Sequence, residues 1–219
     1  TAISIAKFFS ADDCFIYTDV SGVYTTDPKL NSKAKKIKKI SYEEMLEMAS
    51  LGAKIMQPIS LQVAMINDID INVRSTFINS NGTKISNNQQ LFNKNPITGI
   101  AFTKNEAKIT LIGVMDRPGT AASIFKPLAD NQINVDMVVQ TSSPDGGQTD
   151  ITFTIIKDDV KNCIKILKEN KKISYKKIIH DDKVSKVSIV GAGMIATPGV
   201  TYRMFQALAE KKINIMVIS

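Results

Sequence analysis

Ile109-Thr-Leu-Ile-Gly-Val114 and Val187-Ser-Ile-Val-Gly-Ala192 are two versions of one line of sequence. Each is followed by a Pro-Gly pair, Pro118-Gly119 and Pro198-Gly199, the second after a two-residue insertion. Past the turn, Phe125, Leu128, Ala129, Ile133 and Asn134 recur as Phe205, Leu208, Ala209, Ile213 and Asn214. An internal repeat marks a duplicated supersecondary unit. Each copy reads strand, Pro-Gly turn, helix, strand, and the first helix places Ala121, Ile124, Phe125 and Leu128 on one buried face. The first copy continues with a strand at Asp150-Ile-Thr-Phe-Thr-Ile-Ile156. A helix opened by Asp158 follows, with Val160, Ile164 and Leu167 inward, and then a last strand over residues 173–179. The order βαββαβ is the split ferredoxin-like α+β unit. The second copy stops after its second strand. With Thr1 at one end and an apolar run, residues 213–219, at the other, the chain is expected to be a fragment cut at both ends.

Upstream of the repeat the pattern changes. Residues 2–9 are apolar at helical spacing, and Cys14-Phe-Ile-Tyr-Thr18 is a short buried strand. Residues 19–29 form a loop rich in turn formers. Ser41 and Glu44 make a capping box for a helix that buries Met45, Met48, Ala49 and Gly52. Pro58 separates it from a helix over residues 61–65, and residues 69–77 alternate like a strand. Helices between short buried strands indicate an α/β layer. Residues 79–96, polar and carrying Asn81-Gly82, read as a hairpin or linker between domains.

Composition narrows the classes. Apolar residues make up 43% and charged residues 22%, ordinary for a globular chain, which sets aside disorder. No apolar run reaches the length of a membrane span, so no membrane partner is expected. Cys14 and Cys163 are too few for a disulfide scaffold and lack metal-ligand spacing, and one histidine, His180, builds no metal site. Buried free thiols in a reducing, cytoplasmic compartment, and no metal centre, are the expectation. The net charge is +7, but arginine occurs only at Arg74, Arg117 and Arg203. Nucleic-acid readers lean on arginine, and the densest basic run, Lys33-Ala-Lys-Lys-Ile-Lys-Lys39, has no aromatic interleaving. Solvated lysine is the preferred reading, and no nucleic-acid partner is expected.

Two places could hold chemistry. In each repeat a loop ends in Pro-Gly at a helix start, where unpaired amides carry partial positive charge and can hold a carboxylate. Asp116 lies just before the first turn, and Asp136 and Gln140 share a strand face with Asn134, so acceptors for an ammonium group are at hand. An α-amino acid needs that combination. The same residues also suit a plain turn, a helix cap and a solvated strand face. The second place is the 19–29 loop, which follows a strand as ligand loops do in α/β sheets. Tyr24 could stack on a base, Lys29 could neutralise phosphate, and Asp19 or Asp27 could bond polar nucleotide atoms. It has no phosphate-cradling glycine cluster, and a tight surface turn is the alternative.

Tyr17-Thr-Asp-Val-Ser-Gly-Val-Tyr-Thr-Thr-Asp-Pro28, then Ile40-Ser-Tyr-Glu-Glu-Met-Leu-Glu-Met-Ala-Ser-Leu-Gly-Ala-Lys54, resembles the nucleotide-binding part of the aspartate kinases. Asn105-Glu-Ala-Lys-Ile-Thr-Leu-Ile-Gly-Val114, Asp116-Arg-Pro-Gly119 and Asn134-Val-Asp-Met137 resemble the first ACT repeat of that family. Gly191-Ala-Gly-Met194, Pro198-Gly-Val200 and Asn214-Ile215 resemble the second. The resemblance runs over nearly the whole chain. It implies a remnant of an α/β amino-acid-kinase domain at residues 1–78, a linker at 79–96, a first ACT unit at 97–180 and a second, truncated one at 181–219. The strand at 97–102 is expected to join the sheet of the second unit.

The resemblance also implies an activity: phosphorylation of L-aspartate by ATP with Mg²⁺ to β-aspartyl phosphate, the first step toward lysine, threonine and methionine. No prosthetic group is implied. Thr18, Asp19, Tyr24, Thr25, Thr26, Asp27, Pro28, Lys29 and Lys54 match positions that contact ATP. Lys29 stands where the family often has arginine, a point charge in place of a fork. The implied effector site, for lysine, threonine or both, takes Asp116, Arg117, Pro118, Gly119, Ala121, Ile133, Asn134, Val135, Asp136 and Gln140 from the first repeat. Val200, Thr201, Asn214 and Ile215 contribute from the second, across an oligomer interface. A homo-oligomer or an α2β2-type assembly through ACT contacts is implied, with residues 133–140 near the interface.

Departures from the family pattern are informative. The Lys-Phe-Gly-Gly motif and the glycine-rich segment ending Ser-Asp-Thr are absent, so catalytic residues are expected upstream of Thr1 and this chain alone is expected to be inactive. Two rivals to a kinase remain. A non-catalytic ACT regulatory subunit that binds an amino acid would have no use for the 19–29 loop. A basic RNA-binding module would bind oligonucleotides in a salt-sensitive way.

Overall fold

A computed structural model describes residues 1–87, 96–142 and 147–219. The chain divides into two units: Thr1–Phe102 with Val187–Asn214, and Thr103–Lys186 with Ile215–Ser219.

In unit one, α1 (Ala2–Phe8) leads into β1 (Asp13–Thr18), and a long loop then reaches β2 (Lys39–Ser41). The helices α2 (Tyr42–Ser50) and α3 (Pro58–Ile66) precede β3 (Asp70–Ser75) and β4 (Thr83–Ser86). The sheet order is β1-β3-β4-β2, with β1 parallel to β3, β3 antiparallel to β4, and β4 parallel to β2. Its core gathers Val23, Ile40, Met45, Met48, Leu61, Ile71 and Val73, all buried. Burial runs unbroken through Ile71, Asn72 and Val73 of β3, because an interior strand is covered on both faces. The expected alternation is therefore lost there. Asn72 is tolerated because its amide donates to Asp13 Oδ1 at 2.7 Å.

Three local readings are sharpened by the structure. Pro58 does not merely separate two helices but opens α3, where its missing N–H costs nothing. The stretch at 79–96, read as a hairpin or linker, carries β4, which pairs antiparallel with β3 as a hairpin does; Thr83 and Ile85 are buried there among polar neighbours. The part of it at 88–95 lies outside the described residues. The capping box at α2 is half made: Ser41 Oγ accepts from Glu44 N at 3.1 Å, but the Glu44 carboxylate turns elsewhere.

Unit two is built on β5 (Gly99–Met115), α4 (Thr120–Asp130), β6 (Val138–Ser142), β7 (Gln148–Ile156), α5 (Val160–Glu169) and β8 (Lys177–Val190). The sheet order is β6-β7-β5-β8, that of a ferredoxin-like unit. Pairs Ala107–Ile155, Ile109–Phe153 and Leu111–Ile151 line the covered face, against Ile124 and Leu128 of α4 and Cys163 and Leu167 of α5. Phe125 packs edge-on against Phe153 at 5.3 Å. Ala121, read as part of the buried face of α4, is exposed in the first turn. The helix read as opening at Asp158 begins at Val160, after a single 3₁₀ turn with Asp159 at its end.

Strands read as separate are continuous. Residues 177–179 and 187–190 belong to one β8, and residues 99–102 and 109–114 to one β5. In unit two Lys176 N donates to Ile112 O at 2.7 Å, and in unit one Thr98 N donates to Val190 O at 2.8 Å. The second repeat's helix is α6 (Val200–Glu210). Residues 213–219 form no strand, since an extended segment becomes one only when its backbone pairs. Both cysteines are buried and free.

Tyr42 is wholly buried, and its hydroxyl donates to Ile69 O at 2.6 Å. Tyr42→Phe leaves that carbonyl unpaired in the core. Chemical denaturation is expected to show a loss of about 1–3 kcal/mol with an unchanged denaturant slope.

Candidate functional site

The parallel pair β1–β3 brings Thr18 opposite Ser75, so both carboxyl ends open on one edge, where α/β sheets place ligands. The loop that leaves Thr18 is fixed along its course. Val23 is buried, and its N–H donates to Thr83 Oγ1 at 2.8 Å. Ile37 N returns to Val23 O at 2.8 Å, Thr25 N to Lys35 O at 2.9 Å, and Tyr24 bridges Lys36. The loop is thus a short ladder with a tip. Tyr24, Thr25 and Thr26 are half-buried at its base, and Asp27, Pro28 and Lys29 are exposed at the tip. Asp27 Oδ1 accepts from Lys29 N at 2.8 Å, the local turn its residue type favours. Asp19 Oδ1 accepts from Thr18 Oγ1 at 2.9 Å. Lys54 is exposed four residues beyond the end of α2. What the arrangement offers is a polar rim with one lysine at the tip and hydroxyls at the base.

In unit two the loop from β5 to α4 turns at Gly119, whose φ of 89° is left-handed. A Cβ there would meet nothing within 4 Å, so backbone conformation and not space demands the glycine. No side chain caps α4; Thr120 N donates to Arg117 O at 3.2 Å, and the start of the helix borders a cleft of about 310 Å³. Met115, Arg117, Pro118, Gly119, Thr120 and Ser123 form one wall, and Lys172, Ile173 and Ser174 the other. Two cations beside uncapped amides make this cleft suited to an anion.

The remaining first-repeat residues fall into separate groups. Asp116 and Gln140 meet outside the cleft lining, with Gln140 Nε2 donating to Asp116 Oδ1 at 3.3 Å, both exposed. Ile133 is buried and Val135 half-buried against the core, while Asn134 is exposed. Asp136 is engaged by Lys186 Nζ, which also stands 4.0 Å from Glu106 Oε1. In the second repeat, Val200 is buried at the start of α6, Thr201 and Asn214 are exposed, and Ile215 is half-buried. Gly199 repeats the left-handed turn at φ 84°.

Sequence reasoning missed Lys172 and Ser174, which lie in the loop between α5 and β8. It also missed Glu106 and Lys186. A lone glutamate in the middle of a strand is a weak signal that only the three-dimensional pairing makes legible. Among the described residues no group of three His, Cys, Asp or Glu side chains is placed to hold a metal ion. No described helix is long and apolar enough to cross a membrane.

Comparison with known proteins agrees with this division. Residues 1–75 match the amino acid kinase family, and residues 109–170 and 187–219 match the ACT domain. The aspartokinase of Corynebacterium glutamicum is 43% identical over 223 aligned residues, covering all of this chain and 53% of that protein. The regulatory subunit of aspartate kinase from Thermus thermophilus is 37% identical with a TM-score of 0.53, over 57% of this chain and 82% of that one. E. coli aspartokinase III covers the whole chain, over 48% of its own length in each of two structures. With aspartate and ADP (R-state) it is 27% identical with a TM-score of 0.80, and with lysine and aspartate (T-state) 28% identical with a TM-score of 0.74. The fold is therefore an amino-acid-kinase segment followed by ACT domains, and the chain belongs to the aspartokinase family. It spans about half the length of the curated relatives it matches.

Glu106 is 7% exposed, and burial pushes its carboxyl above the usual carboxylate range, although the Lys186 charge pulls it down. A raised folded-state value means stability is fully present below the unfolded value and is lost as pH rises through the folded one. Glu106→Gln removes that loss. Its melting temperature is expected to equal wild type below the carboxylate range and to exceed it at neutral pH. Thermal melts across pH check this, and a variant less stable at neutral pH contradicts it.

Proposed function

We propose that the protein containing this chain phosphorylates L-aspartate. A β-carboxylate oxygen attacks the γ-phosphorus of MgATP, the bond to the β-phosphate oxygen breaks, and β-aspartyl phosphate and ADP leave. Transfer of this kind rests on positioning and charge neutralisation. The observation that carries the reading is the stapled loop at the carboxyl edge of β1–β3 in a chain of the aspartokinase family. Thr18, Asp19, residues 24–29 and Lys54 contact the nucleotide in this reading, with Tyr24 against the base and Lys29 against phosphate. The E. coli relative bound to aspartate and ADP supports it. Mg²⁺ enters with ATP as part of the substrate.

The ACT part is then a feedback device for lysine, threonine or both, end products of the same biosynthetic route. The α-carboxylate sits at the amides near Gly119 and Ala121, and the ammonium group is accepted by Asp116, with Asp136 and Gln140 ordering the pocket. Val200, Thr201, Asn214 and Ile215 complete it from a second copy or partner subunit. The Asp116–Gln140 pair and the uncapped start of α4 support this placement, as does lysine bound to the E. coli relative. An effector that binds one global arrangement better shifts the population toward it. A second reading, a non-catalytic regulatory subunit, is favoured by the likeness to the Thermus chain. It leaves the nucleotide loop without a purpose.

Kinetics of the full-length protein decide between them. L-aspartate-dependent ADP release, with the acyl phosphate trapped by hydroxylamine, is expected, and its absence removes the kinase reading. Lys29→Met should raise KM for MgATP several-fold, while kcat changes less. Asp116→Ala and Gln140→Ala should each raise the effector concentration that halves the rate, eroding a coupling worth roughly 5–150-fold in affinity. Wild-type inhibition in both variants, by lysine and threonine alone and together, removes the effector site from this position.

A further inference from the structure

Three hydrogen bonds converge on residues 98–100, where β5 begins. Thr98 N donates to Val190 O, at the end of β8, at 2.8 Å. The Thr98 hydroxyl donates to Glu44 Oε1 at 2.6 Å. Two residues on, Ile100 N donates to Thr25 O at 2.7 Å, at the base of the nucleotide loop. Gly99 between them lies against α2: a Cβ there would stand 2.7 Å from the Met48 thioether, which would have to move aside.

The same Glu44 oxygen accepts a second donor, Ala192 N, at 3.1 Å. Ala192 opens the loop of the second repeat that corresponds, in the first, to the cleft beside α4. Here the start of that loop is packed against residues 96–98. A Cβ on Gly191 would collide with Pro96 O, and one on Gly193 would stand 2.8 Å from Pro96 Cα. Glu44 sits in the first turn of α2, where a capping box would send its carboxylate back to the Ser41 amide. It forgoes that local bond for two distant ones. A carboxylate that accepts from two donors is a strong and directional junction.

We propose that Glu44 is a positioning residue for the nucleotide site. It holds Thr98 and Ala192 to the start of α2, and so fixes the 98–100 segment, whose Ile100 N–H sets the carbonyl of Thr25. The tip at residues 26–29 and Lys54 at the far side of α2 are thereby held in register. Glu44 does not touch the nucleotide; it acts through Thr98, Ile100 and Thr25. A shift of the 191–194 loop that withdraws the Ala192 amide weakens the junction, so the second repeat adjusts nucleotide affinity through this point. The proposal rests on the reading of residues 18–29 and Lys54 as nucleotide contacts.

Steady-state kinetics of the full-length protein, with MgATP varied at saturating L-aspartate, test it. Glu44→Ala should raise KM for MgATP about tenfold, the worth of one hydrogen bond to a charged group. Its kcat and its KM for L-aspartate should stay within about twofold of wild type, since neither depends on the loop's register. Glu44→Gln keeps an acceptor oxygen and should recover most of the loss. Thr98→Val, which removes one donor and keeps the shape, should raise KM for MgATP by a smaller factor, and it carries the test if Glu44→Ala does not fold. An active wild type whose variants keep a normal KM for MgATP overturns the proposal alone. So does a Glu44→Gln variant as impaired as Glu44→Ala, or a fall in kcat with both KM values unchanged. A wild type with no L-aspartate-dependent ADP release overturns both the kinase reading and this one.

Discussion

One hydroxyl on β4 holds the loop between β1 and β2 to its sheet. The excursion of residues 19–38 would be free to wander if nothing tied its middle down, and buried backbone must be paired wherever it touches the core. Thr83 Oγ1 accepts from Val23 N at 2.8 Å and donates to Ile37 O. A hydroxyl has one hydrogen and two lone pairs, so it can serve both strands of the loop at once. The fit is tight enough to dictate a neighbour. Gly22 has φ 133°, and a Cβ there would stand 2.6 Å from the Thr83 oxygen. Once Val23 and Ile37 are fixed, the pairs Thr25–Lys35 and Tyr24–Lys36 follow by register, and only the tip projects. Replacing the hydroxyl by a methyl would strand a buried N–H and a buried carbonyl together, which costs more than losing either bond alone.

Local rules carried the fold where local rules decide. Ser41 before the Met45–Met48 face, the Pro-Gly turns, and the apolar alternation of residues 151–155 all act within a few residues, and each gave an element close to its observed place. The misses share a cause. Thr83 and Ile85 look like loop residues because the polar one is buried by pairing that only the folded sheet supplies. The joining of two strand readings into β8 depends on β5 lying alongside, a partner more than sixty residues away in the chain. Pro58 is a breaker or a starter according to which side of it the helix lies, and propensity alone does not choose.

The candidate sites were legible in the same uneven way. Residues 18–29 and 116–119 stand out because glycine, proline and aspartate cluster where turns form, and their residue types name the chemistry. Lys172 and Ser174 reach the cleft by α4 from another loop, and no spacing along the chain connects them to Pro118. Asp136 illustrates the limit from the other side. Its residue type suits an ammonium ligand, and its partner within the chain is an ammonium group, that of Lys186, which an amino acid would have to share or displace. Local pattern identified the kind of partner, while its identity came from the sheet.

The two repeats show how one motif can take two duties. Both use a left-handed glycine after proline and start a helix without a side-chain cap. In the first, the loop beyond β5 faces open space, with cations from two segments around the helix amides. In the second, the segment before the turn is pressed on residues 96–98, and its first amide is taken by Glu44. That amide, Ala192 N, lies eight residues before Val200, so the start of α6 is left as free of a side-chain cap as that of α4. The duplicated turn is kept in both copies, and the difference lies in the segment ahead of it: cations from two segments stand around the turn in the first, while in the second a carboxylate of the same chain holds the backbone against residues 96–98. One negative charge, placed on α2, is enough to turn an open loop start into a packed junction.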